Sequence, residues 1–117
     1  MMPKVYDLAG RAPREGGETV LGLKDLGTHA CYMLYGVLAP GDAPRALRPG
    51  PGHEEIILCI SGAMRISGAD GEQTLQAGQA VYLKGDQACE AACAGPLEAR
   101  YAAAGGHTPG DDHHHHH

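Results

Sequence analysis

The sequence predicts an all-β domain folded as a sandwich or barrel. Three observations carry that expectation. Short runs of strand-forming residues recur at near-even spacing, a glycine-containing turn stands at nearly every corner, and no segment offers the apolar face of a three-turn helix. At 117 residues the chain fits a single domain. Its 18 glycines and 8 prolines, with no G-X-Y period, agree with many turns between short elements.

Residues 1–18 are polar and rich in Gly and Pro, as in "RAPREGGE", and read as an N-terminal arm. "TVLGLKDLG" (Thr19–Gly27) alternates apolar positions and is expected as a first strand. "HACYMLYGVLAPG" (His29–Gly41) is rich in strand formers and ends at a Pro-Gly turn. "DAPRALRPGPG" (Asp42–Gly52) contains three prolines, which cannot donate to a central ladder. From there the rhythm is regular. "HEEIILCI", "AMRIS", "EQTLQ", "AVYLK", "ACEAACA" and "LEARYAAA" are strands, divided by "SG", "GADG", "AGQ", "GDQ" and "GP". The run Ala102–Ala104 would suit a helix, but Tyr101 before it and Gly105-Gly106 after it favour a last strand. The β-domain therefore spans 19–105, and 106–117 form a polar, His-rich tail.

Composition narrows the function classes. Hydrophobic residues make up 43%, yet Phe and Trp are absent and much of the count is Ala. Such a thin core in a small domain leads us to expect support from a homodimer interface. The formal net charge is −5 and the nine basic residues are scattered, which disfavours binding to a phosphate backbone. None of Cys31, Cys59, Cys89 and Cys93 forms a CxxC, so zinc-ribbon and thioredoxin motifs are absent. The N-terminus lacks an apolar signal core and no segment has transmembrane length, so a cytoplasmic protein with reduced thiols and no membrane partner is expected. GxSxG, P-loop and GxGxxG motifs are missing, and "SGADGE" lacks the alternating acidic ligands of a calcium loop.

The stretch "GHEEIILCISGAMRISGADGEQTLQAGQAVYLKGD" resembles the cupin superfamily. Glu55, six residues and Gly62 match the second half of its first motif, and Gly78 with "QAVYL" and the turn at Lys84–Asp86 matches the frame of its second. The resemblance covers roughly residues 30–104. It implies a cupin-type β-barrel, the jelly-roll-like double-stranded β-helix, and a divalent metal held by two His and a Glu from motif one and a His from motif two. Only Glu55 stands at its place. The two motif-one His positions fall on Pro49 and Pro51, the motif-two His position on Cys89, and the usual motif-two Pro on Lys84.

Strand alternation puts His53, Glu55, Ile57 and Cys59 on one face. If that face is inward, His53, Glu55 and Cys89 form a three-ligand N, O, S set that suits Zn, Fe or Ni. The alternative is a rim His53 in solvent and a buried or interfacial Glu55 held by an Arg. Cys59, Cys89 and Cys93 share a surface, either as a soft pocket lining or as small hydrophobes in a narrow interior. A buried Glu55 would also have a raised pKa, as a general acid or base needs, with Tyr35, Tyr82 and Lys84 as candidate companions.

The tail "GGHTPGDDHHHHH" binds metal by composition and is either native or an expression tag. The expected role is binding or sensing an unidentified small molecule in the barrel, at a pocket of His53, Glu55, Ile57, Cys59, Cys89 and Cys93, with a degenerate metal site and no certain cofactor. The rivals are a metal-dependent isomerase or dioxygenase using His53, Glu55 and Cys89, and a metal-handling protein using its tail.

Overall fold

The computed structural model describes residues 2–108. Its nine strands are β1 (Glu18–Leu21), β2 (Cys31–Leu38), β3 (Arg45–Leu47), β4 (His53–Ser61), β5 (Ala63–Gly68), β6 (Gly71–Gln76), β7 (Ala80–Lys84), β8 (Cys89–Cys93) and β9 (Ala99–His107). They build two antiparallel sheets, ordered β1-β2-β9-β4-β7 and β3-β8-β5-β6. The core lies between them. Leu38, Ile57 and Tyr101 of the larger sheet meet Leu47, Met64 and Ile66 of the smaller. The all-β expectation therefore holds, and every strand expected from His53 onward is present.

Alternation fixes which side chains face inward. Along β4, Glu55, Ile57 and Cys59 are buried while Ile56, Leu58 and Ile60 are exposed. Gly62 ends this strand at φ +72°, and a Cβ there would lie 2.5 Å from the carbonyl oxygen of Glu98. A left-handed backbone and a close approach to β9 together require glycine at this corner.

Three boundaries differ from the sequence reading. The expected first strand stops at Leu21, and Leu23–Leu26 form one helical turn. Gly22 opens that turn by donating to Asp25 Oδ2 at 3.4 Å, and Gly27 closes it at φ 71°. The expected N-terminal arm contains a helical turn over Leu8–Arg11 and a 3₁₀ turn over Ala12–Glu15, and Ala12 is fully buried. Glu15 also accepts from the buried Thr19 hydroxyl at 3.0 Å, which ties this segment to β1. At the other end β9 runs through Gly105 and Gly106 to His107. Those glycines mark close approaches rather than a strand end. A Cβ on Gly106 would lie 2.9 Å from the Ala30 carbonyl oxygen.

"DAPRALRPGPG" contributes only three residues, β3, at the edge of the smaller sheet, as its prolines require. On the outer face of the larger sheet, Met33, Ile56, Leu58 and Tyr82 are exposed. Met33, Ala104, Ile56 and Tyr82 are successive register partners across β2, β9, β4 and β7, so they form one apolar row. Among the described residues no helix is long and apolar enough to cross a membrane.

Candidate functional site

The inward face of the larger sheet carries two polar crossings built to one plan. In the first, Tyr32 on β2 is paired with Gly105 on β9, which is paired in turn with Glu55 on β4. The tyrosine ring lies across the glycine, and its hydroxyl donates to Glu55 Oε1 at 3.0 Å. A Cβ on Gly105 would stand 2.4 Å from that hydroxyl, so only glycine leaves the path open. In the second, Tyr101 on β9 lies across Gly36 on β2, where a Cβ would meet its ring at 2.3 Å. Its hydroxyl donates to Glu18 on β1 and accepts from Arg45 Nη1 at 2.9 Å. Arg45 Nη1 also donates to the carbonyls of Val37 at 3.2 Å and Gly17 at 3.3 Å.

The crossings differ in how completely they are satisfied. Tyr101 has both a donor and an acceptor partner. Glu55 is only 2% exposed, and its Oε2 is buried with no hydrogen-bond partner. Such a group is costly to leave unpaired. Burial pushes the Glu55 carboxyl above its usual range. The Tyr32 hydrogen bond pulls it down, Glu18 pushes it up and His53 pulls it down. Burial and the neighbouring Glu55 push the Tyr32 hydroxyl well above the ordinary tyrosine range.

The remaining expected site residues divide between core and rim. Ile57 and Cys59 are fully buried and pack in the core rather than lining a pocket. The Cys59 thiol lies 3.7 Å from the carbonyls of Ser61 and Gly62, and burial raises its pKa. Cys93 packs against the core and donates to the Leu97 carbonyl at 3.1 Å. Cys89 is 6% exposed, and its thiol is pushed up first by burial and then by the Glu55 charge. His53 sits half-buried at the barrel end, with Nδ1 3.0 Å from the Pro51 carbonyl and its ring centroid 5.9 Å from that of Tyr32.

Two readings are corrected by this geometry. Glu55 is held by Tyr32 and not by an Arg, and the Arg45 guanidinium is engaged by Tyr101. Tyr35, Tyr82 and Lys84 cannot accompany Glu55 in acid–base work. They alternate onto the opposite face, where the Tyr82 hydroxyl donates to Glu54. The set of His53, Glu55 and Cys89 does not fit the expected metal either. Prolines occupy two of the ligand positions that the resemblance implies. Among the described residues no three His, Cys, Asp or Glu side chains are grouped as a metal requires. The terminal His113–His117 lie outside the described residues.

Beside this site a cleft of about 530 Å³ opens between the edge strands β6 and β7. Its wall includes Ile66, Val81, Leu83 and Cys89, and its rim carries Asp70, Glu72 and Asp86. Leu83 in that wall is the cross-strand partner of Glu55.

A scan of protein-family models and a search of curated proteins return no match. Solved structures do match. A cupin protein from Bacteroides fragilis superposes with a TM-score of 0.68 at 17% identity, over 93% of this chain and 84% of that one. The fold is that of a cupin. A conserved double-stranded β-helix protein from Klebsiella pneumoniae gives this cupin barrel a TM-score of 0.69 at 18% identity, over 92% and 93% of the two chains. The cupin domain of an XRE-family transcriptional regulator from Enterobacter cloacae gives 0.64 at 23% identity, over 80% and 98%. The double-stranded β-helix expected from the motif frame is thus the fold observed.

Sequence reasoning found Glu55 but missed Tyr32, Gly105, Tyr101, Gly36, Glu18 and Arg45. Glycines inside strands carried a signal, since such a residue often marks close approach of another group. The thiols yield a first prediction. Cys31 is exposed, whereas Cys59 and Cys89 are buried with raised pKa values. In native protein an aromatic disulfide reagent is expected to modify Cys31 first and to reach Cys59 and Cys89 only as fast as the barrel opens. Peptide mapping of partially labelled protein reads the order.

Proposed function

We propose that this cupin barrel is a binding or sensing module for a small polar organic molecule that donates an N–H or O–H group to Glu55. The observation that carries the reading is the buried Glu55 Oε2 without a partner, and its register partner Leu83 stands in the wall of a cleft large enough for a small ligand. Tyr32 fixes the carboxylate by its other oxygen, so the free oxygen has a set direction before the ligand arrives. That one structural neighbour is a domain of a transcriptional regulator supports the sensing role.

The test is ligand-observed NMR with a panel of small amides, ureas and polyols. A hydrogen bond to a charged group contributes about 1.5–3 kcal/mol, so Glu55→Leu is expected to weaken a bound panel member roughly 10- to 150-fold. Equal binding to the parent protein and to folded Glu55→Leu would remove Glu55 from the site.

We infer further that two copies associate through the outer row of Met33, Ile56, Leu58 and Tyr82, which supplies the apolar burial that a core without Phe or Trp lacks. Sedimentation equilibrium should give twice the 12.2 kDa chain mass, falling to the single mass in Ile56→Glu/Leu58→Glu. A single mass in the parent protein would end this inference.

A further inference from the structure

The cleft is bounded by two strand edges that have no neighbour. β7 is the last strand of the larger sheet and β6 the last of the smaller. In an antiparallel pair, the backbone groups of alternate residues bond to the partner strand and those between point away. Cys59 N–H donates to the Gln79 carbonyl at 2.9 Å, so β7 bonds to β4 through Val81 and Leu83. The N–H and C=O of Tyr82 and Lys84 therefore point to the free edge. Gln87 caps that edge at Lys84. It accepts from Lys84 N–H through Oε1 at 2.8 Å and donates its own N–H to the Lys84 carbonyl at 2.9 Å. Among the described residues no group caps the Tyr82 backbone.

β6 is arranged in the same way. Ala94 N–H donates to the Ala63 carbonyl at 2.9 Å, so Ala63 is turned to β8 and its partner Gln76 is turned out. Gln79 caps Gln76, accepting its N–H through Oε1 at 2.8 Å and donating to its carbonyl at 3.0 Å. By alternation the backbone groups of Glu72 are also turned out, and they are not capped among the described residues. Tyr82 and Glu72 both stand in the wall of the cleft. Uncapped edge groups of this kind are a template for another extended chain.

The surroundings select which chain. Ile66, Leu83 and Cys89 in the wall are 6%, 9% and 6% exposed, so an apolar side chain entering there meets the edge of the core. The rim is acidic, with Asp70, Glu72 and Asp86. Among the described residues Arg65 is the cation paired with this rim, to Glu72 at 3.4 Å, and both of those side chains are exposed. A second copy of this chain would set two acidic rims against each other, whereas a basic segment is drawn in.

We propose that this cleft is a docking groove for an extended, basic segment of another protein, added as a strand along the free edge of β7. Backbone bonds to Tyr82 hold the segment, an apolar side chain enters between the sheets, and flanking Lys or Arg side chains meet Asp70 and Asp86. The groove acts through backbone groups and rim charges, so it does not rest on the Glu55 reading.

The experiment titrates the full chain into a fluorescein-labelled peptide, acetyl-Lys-Val-Lys-Val-Lys-amide, and follows anisotropy. Saturable binding is expected, at least about tenfold tighter than that of the matching Glu-Val-Glu-Val-Glu peptide and weakened by added salt. Methylating alternate backbone nitrogens of the lysine peptide should weaken it at least about tenfold, because those amides are the strand's donors. Asp70→Asn/Asp86→Asn should weaken it severalfold without changing the far-ultraviolet spectrum. Amide exchange read by NMR should slow at Tyr82 on binding. Glu55→Leu should bind the peptide as the parent does, so this proposal and the small-molecule reading fail separately. Absence of saturable binding would overturn the proposal. So would binding that survives N-methylation, which is charge attraction without strand pairing, or binding indifferent to Asp70→Asn/Asp86→Asn. Protection of the Tyr82 amide that rises with protein concentration in the absence of peptide would assign the edge to a second copy instead.

Discussion

Tyr101→Ala is expected to lower the unfolding free energy by about 3–5 kcal/mol, enough to unfold a protein of ordinary marginal stability. Tyr101 is the largest fully buried side chain, and it bridges Glu18 and Arg45 through one hydroxyl. The substitution removes an aromatic ring from a core that holds no Phe or Trp to replace it. It also leaves a carboxylate and a guanidinium without their shared partner. Tyr101→Phe separates the two losses. It keeps the ring and should cost about 1–3 kcal/mol, the penalty for stranding buried polar groups. Urea melts of the three proteins measure the split, and a loss below about 1 kcal/mol in Tyr101→Ala would contradict the assignment. The same residue gives a pH dependence. Burial, then the Glu18 hydrogen bond, push its hydroxyl above the ordinary tyrosine value, so the folded state favours the neutral form. That contribution is fully present below pH ~10, the unfolded-chain value, and is lost as pH rises beyond it. Tyr101→Phe should flatten this alkaline loss.

Gly105→Ala is expected to destabilise by about 1–3 kcal/mol, the usual cost of overpacking, although it adds a single methyl group. The added carbon would lie 2.4 Å from the Tyr32 hydroxyl and 2.7 Å from the Glu54 carbonyl oxygen. The tyrosine can swing away, but doing so strips Glu55 of the one hydrogen bond it has. The two substitutions should therefore be coupled. In a Tyr32→Ala background the cost of Gly105→Ala should shrink, leaving only the part due to the Glu54 backbone. A double-mutant cycle reads the difference, and strict additivity would mean that Tyr32 does not cross Gly105 in solution.

What the chain announced locally and what it concealed follow from the range of the interactions. Period-two alternation along "HEEIILCI" placed Glu55, Ile57 and Cys59 on the buried face, and the interval from Glu55 to Gly62 marked the corner that glycine must occupy. Both features lie within a single strand. The partners of the buried carboxylates do not. Tyr32 is 23 residues from Glu55, and Tyr101 is 83 residues from Glu18. They meet because β9 inserts between β2 and β4, an adjacency that no local pattern encodes. The cysteines left two readings open, a soft pocket lining or small hydrophobes in a narrow interior. Their shared facing was read correctly for Cys59 and Cys89, but facing inward in a narrow barrel means filling it, and both thiols are core atoms. Gly105 and Gly106 read as a strand end because glycine usually interrupts strands. Here one admits a tyrosine and the other a neighbouring backbone.

The two tyrosine crossings have a consequence for how this sequence can drift. Tyr32 stands four residues before Gly36 on β2, and Tyr101 stands four before Gly105 on β9, so a local two-fold relates the halves of the antiparallel pair. Each tyrosine occupies the space that the other strand's glycine leaves vacant. A larger residue at either glycine is admissible only when the tyrosine opposite becomes smaller, and a slip of the β2–β9 register would break both fits at once. The four positions should therefore change in matched pairs among descendants of this chain, with Gly36 tied to Tyr101 and Gly105 to Tyr32.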